Sequence, residues 1–164
     1  LPGAYNNNFH IFQVPGYVMI VQEMYGDRRL IALDGRPSGA VPKWLGNSRG
    51  RWEGNTLVVE TTNFADKGDY WWANSWRSAR PTLRLTERFT RVDAENIDYR
   101  FTMEDPTMFT RPWTAEIPLS TNRAERGVAS GRLYEYACHE GNHSIVNVLS
   151  GARAKDASPA EAKK

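Results

Sequence analysis

Three observations predict an all-β chain. Short β-prone runs recur along most of its length, separated by turn pairs such as Pro15-Gly16 and Gly54-Asn55. Between Thr82 and Glu104 the runs alternate cleanly between apolar and polar residues. Helical spacing of apolar residues emerges only after Ser144. Together these favour an antiparallel β-barrel, a lipocalin-like up-and-down meander of about nine strands with one C-terminal helix. A β-sandwich is the alternative. The barrel is preferred because several strands carry isolated polar groups on an apolar face, as a ligand-lining wall would.

In chain order the expected strands are Phe9 to Val14, Tyr17 to Met24, Arg28 to Leu33, Arg49 to Glu53, Thr56 to Thr62, Thr82 to Val92, Asn96 to Glu104, Trp113 to Leu119 and Arg132 to Cys138. Pro37 to Asn47 reads as a Pro/Gly-rich loop, Asp66 to Pro81 as a long aromatic-rich connection, and Asn122 to Gly131 as a polar loop. Ile145, Val148, Leu149 and Ala152 recur at helical spacing in Ser144 to Ala154, with Gly151 weakening that helix. Residues 1–154 are thus expected to form one barrel domain with its helix, and 155–164 a solvated tail.

At 164 residues the chain is long enough for a real core. Its net charge of +2 is spread without a basic run, which argues against nucleic acid as a partner. No apolar run approaches the roughly 20 residues of a membrane helix, so no membrane span is expected. The chain opens Leu1-Pro2-Gly3, without a methionine or a signal pattern, and is read as a piece of a longer precursor. Cys138 is the single cysteine, and a lone cysteine makes no internal disulfide. It is either a small buried side chain or a half-cystine bonded to a segment or chain outside this sequence.

Glu87 is the first candidate for chemistry. Leu83, Leu85, Glu87 and Phe89 share one strand face; Arg84, Thr86, Arg88 and Thr90 share the other. A carboxylate in an apolar layer is costly unless paired or protonated. Two readings follow: an ion pair with one of the many arginines, or a general acid/base with a raised pKa. Tyr99, on the apolar face of the next strand with Ile97, Phe101 and Met103, is placed to donate a hydrogen bond to it.

The run Cys138-His139-Glu140-Gly141-Asn142-His143 contains a formal H-E-x-x-H. A strand leads into it and Gly141 sits inside it, so the helix that zinc ligation would need is not expected. Neither a metal nor another cofactor is expected. Instead His139, Glu140 and Asn142 would stand at the rim of the barrel, where His139 can act as acid or base. Asn6 and Asn8, in Tyr5-Asn6-Asn7-Asn8, form either a polar turn or amides that bind hydroxyl or carbonyl groups. Arg111 and Trp113 are either a strand start with a packed indole or an anion-binding arginine beside an aromatic wall. Trp71, Trp72 and Trp76 either close over the core or form a stacking lid.

Several of these runs resemble one family. They are Tyr5 to Asn8, the long run Gly46 to Phe64, Glu87 to Val92, Arg111 to Trp113 and Tyr136 to Asn142. The set is similar to the C-terminal part of a widespread group of bacterial proteins of unassigned function, typically made with a secretory signal. The resemblance implies a periplasmic or secreted location. It also implies a preceding segment that could supply a cysteine partner for Cys138. The insert around Trp71 departs from the pattern, and the position of His143 is often aromatic there.

The leading expectation is an exported barrel that binds a small polar organic molecule, with metal-free acid/base chemistry as an isomerase, lyase or hydrolase. Glu87 and His139 would be its proton-transfer pair. Tyr99, Asn142, Glu140, Asn6, Asn8, Arg111 and Trp113 would bind the substrate. The alternative is a non-catalytic binding or assembly module in which Glu87 is paired with an arginine.

Overall fold

The computed structural model describes residues 8–23, 26–66, 81–121 and 143–157. The chain divides into two compact units after Tyr134. Among its described residues the first carries one sheet of eight strands in the order β1-β2-β3-β4-β5-β6-β7-β8. These are β1 (Phe9–Val14), β2 (Tyr17–Gln22), β3 (Arg28–Ala32), β4 (Asn47–Glu53), β5 (Thr56–Thr62), β6 (Arg84–Arg91), β7 (Asn96–Glu104) and β8 (Trp113–Ser120). The sheet curls into a half-barrel of the up-and-down kind, so the sandwich alternative falls. The expected ninth strand, Arg132 to Cys138, and the loop of Trp71, Trp72 and Trp76 lie outside the described residues.

One junction departs from a pure meander. β3 and β4 run parallel and share one bridged pair, Ala32 with Arg49. Every other neighbouring pair is antiparallel, with a long register such as Thr56–Thr90 through Thr61–Leu85 between β5 and β6. The loop 33–46 carries the chain back between the two parallel strands. Parallel neighbours need such a return, whereas antiparallel ones need only a tight turn.

The alternation that predicts the strands also builds the core. Val18 and Ile20, Ile31, Leu57 and Val59, Leu85 and Phe89, and Tyr99, Phe101 and Met103 form one buried cluster. Gly50 completes it from β4. A Cβ there would stand 2.7 Å from Ile31 Cγ2 and 2.8 Å from Leu33 Cδ2, so the glycine lets these side chains cross the strand. The opposite face carries paired charges. Arg51 binds Glu60 at 2.8 Å, Arg88 binds Glu53 at 2.8 Å, and Arg100 binds Glu116 at 2.7 Å. Cross-strand pairs of this kind sit well on a solvated sheet face.

The second unit contains α1 (Ser144–Ala157). Its first turn closes by a bond from the Asn147 amide to the His143 carbonyl at 2.9 Å. Its apolar side chains Ile145, Val148 and Leu149 are exposed. No helix of the described residues is long and apolar enough to cross a membrane.

Candidate ligand-binding site

Glu87 faces inward, as its strand period requires, and is 1% exposed. It does not stand alone there. Arg29, also buried on β3, donates from Nη1 to Glu87 Oε1 at 3.0 Å and from Nη2 to Glu87 Oε2. This is a two-pronged pairing, the strongest geometry an arginine offers a carboxylate. The Tyr99 hydroxyl donates to Glu87 Oε1 at 2.7 Å. Arg29 Nη2 also lies 3.3 Å from Thr61 Oγ1 and 3.5 Å from Ser48 Oγ, and those hydroxyls bond each other at 2.8 Å. The cluster therefore draws on β3, β4, β5, β6 and β7.

The electrostatics follow from this geometry. Burial is the largest single influence and would push the Glu87 carboxyl up, but the positive charge around it, chiefly that of Arg29, and the hydrogen bonds from Arg29 and Tyr99 together outweigh it. The pKa falls to about 2. This reverses the raised pKa expected of a general acid. Arg29 moves the other way: burial opposes its charge, and the Glu87 carboxylate more than restores it. Burial, with the neighbouring carboxylate, drives the Tyr99 phenol upward, so its proton stays in place as a donor.

The other expected site residues separate into groups. Glu87 and Tyr99 are in direct contact. Trp113 joins the same inner face through aromatic packing: Tyr99 stacks on Phe101 with centroids 5.7 Å apart, and Trp113 meets Phe101 edge-on at 5.5 Å. It is thus the packed indole at a strand start, while Arg111 before it is exposed. Asn8 is exposed beside β1, its amide donating to Glu23 Oε2 at 3.1 Å. His139, Glu140, Asn142, Asn6 and Cys138 lie outside the described residues.

Arg29 is the functional side chain that sequence reasoning missed. The signal was present in the period: Arg29 lies two residues from Ile31, and its register partner is Ile20, itself on the apolar face. What hid it was the abundance of arginines and the apolar Leu30 between, which turns out to be 59% exposed.

Among the described residues, depressions open on the sheet at two places of interest. One, of about 530 Å³, is bordered by the Pro15-Gly16 turn, Leu33 and Trp52. The other, of about 270 Å³, lies where β3 and β4 splay apart, between Arg28–Leu30 and Lys43–Arg49. No protein-family model, curated protein or solved structure matches this chain.

Proposed function

We propose that this chain is an exported small-molecule-binding β-barrel module that performs no acid/base chemistry at Glu87. One observation carries the reading: the inward carboxylate is closed on both oxygens by Arg29, with Tyr99 as an added donor. A catalytic acid or base works best with a pKa near the operating pH. With a pKa of about 2, Glu87 holds no proton to give at neutral pH and is too weak a base to take one. The depressions at the turn of β1 and β2 and at the β3–β4 split support binding. The resemblance of runs such as Gly46 to Phe64 and Tyr136 to Asn142 to exported bacterial proteins is the ground for proposing a periplasmic or secreted location.

The test is to denature the purified chain, identify any released small molecule by mass, and return it to fresh protein. The expected result is a released compound that rebinds and is recovered unchanged. A compound recovered with altered mass or connectivity makes the chain an enzyme; a purified chain that releases nothing and binds nothing ends the binding reading.

A further inference from the structure

We infer that the cleft between β3 and β4 is an anion site, built for a carboxylate or phosphate group carried on a flat ring. This rests on the binding reading above and names the class of ligand. The cleft exists because the two parallel strands share one bridged pair and then diverge. Arg28, Lys43 and Arg49 line it, with the indole of Trp44 beside them and Arg29 among the lining residues. Among the described residues, no acidic side chain lines it.

Arg28 and Lys43 at this cleft differ from three arginines on the outer face of the sheet. On the outer face of β4 to β8, Arg51, Arg88 and Arg100 each have a carboxylate partner. Among the described residues, no carboxylate pairs with the side chains of Arg28 or Lys43. Arg49 spends its donors on the carbonyls of Arg36, Pro37 and Ser48, and its charge is shared with the nearby Asp34 carboxylate, so it edges the cleft without offering a free cation. Arg28 and Lys43, two cations lining one concave surface with no carboxylate partner among the described residues, favour an anion there. Trp44 is 59% exposed, a flat apolar face on which an aromatic ring can stack.

The walls are also held in place before any ligand arrives. Lys43 is locked by its backbone, accepting from the Ala65 amide at 2.8 Å and donating to the Asn63 carbonyl at 3.2 Å. The Asn47 and Asn63 amides clamp the Gly39 carbonyl at 3.3 and 2.8 Å. Gly46 has a φ of +69°, and a Cβ there would stand 2.6 Å from Thr61 Cγ2, so only glycine lets the loop turn down into β4. A preformed wall spares the ordering cost of binding. At about 270 Å³ the cleft suits a single substituted ring rather than a large cofactor.

The test is calorimetric titration of the full chain with benzoate, phenyl phosphate, inorganic phosphate and the neutral benzamide. Benzoate and phenyl phosphate are expected to bind, inorganic phosphate more weakly, and benzamide at least about tenfold more weakly than benzoate. The tighter of the two aromatic anions tells whether the natural group is a carboxylate or a phosphate. In the double variant Arg28→Gln/Lys43→Gln, anion binding should weaken on the order of tenfold, and added salt should weaken wild-type binding. Neither side chain makes a hydrogen bond or ion pair among the described residues, so the melting temperature should not move. Trp44→Phe should lose most of the fluorescence change on binding. Benzamide binding as tightly as benzoate, no anion binding at millimolar concentration, or an unaffected double variant would each overturn the site. A neutral compound released from the purified chain and bound equally by the double variant overturns the anion site alone and leaves the binding reading standing.

Discussion

The Tyr99 phenol and the Arg29 guanidinium both hold Glu87 ionised, but they do so with different force. Tyr99 gives one hydrogen bond to a charged oxygen, worth about 1.5–3 kcal/mol. Tyr99→Phe should therefore cost about that much in chemical denaturation and raise the pH at which acid unfolding begins. Arg29 carries the compensating charge. Removing one member of a buried pair strands the other, at about 3–5 kcal/mol. Glu87→Gln should fall in that range. The pH dependence has a definite sign. The folded pKa of about 2 lies below the ordinary 4.5. The stabilisation is therefore complete above about pH 4.5 and is lost as pH falls through 2. The difference corresponds to on the order of 3 kcal/mol. Denaturation midpoints taken from pH 6 down to 2 should fall more steeply for wild type than for Glu87→Gln. Parallel slopes would mean that Glu87 is not held low in the folded state.

Strands were legible because their period is local. Asn96 to Glu104 is β7 to the residue, and the inward set Leu85, Glu87 and Phe89 is buried as the alternation requires. The parallel return at β3 and β4 was not legible. Each of those strands reads as an ordinary β run, and nothing in a period of two reports which way its neighbour runs. The inward side of Arg29 could be read from its period, but its pairing with Glu87 could not, since that depends on which strands the curl of the sheet brings together. Gly50 holds a sequence signal that only the packing explains. A lone glycine inside a strand marks either a bulge or a close approach, and here it is an approach by Ile31 and Leu33. Gly50→Val should force those side chains off their rotamers and cost about 1–3 kcal/mol. Arg51→Val, one residue along on the charged face, should cost much less. Equal losses in urea titrations of the two variants would remove the packing argument.

The sheet has a weak seam at the scale of the whole barrel unit. Along the backbone, β1 to β3 join β4 to β8 through the single pair Ala32 and Arg49, whereas the β4–β5, β5–β6, β6–β7 and β7–β8 ladders run nearly the full strand length. Side chains make up the difference. Arg29 reaches from β3 across the hydroxyls of Ser48 on β4 and Thr61 on β5 to Glu87 on β6. Strands three places apart touch only because the sheet curls, so this ion pair ties the curl as well as the core. Ile31, packed in the same cluster as Val59 and Leu85, reinforces it. Local opening should therefore begin at this seam. In native-state hydrogen exchange, Arg29→Met should speed exchange in β1 to β3 well before β5 to β7, while wild type protects both more evenly. The double variant Arg29→Met/Glu87→Leu should recover much of the stability lost in either single variant, because no charge is left stranded. If the pair also fixes the curl, the double variant will still exchange faster at β1 to β3 than wild type. Recovery of stability together with wild-type exchange at β3 would reduce the pair to charge compensation and leave Ile31 and its neighbours as the tie across the seam.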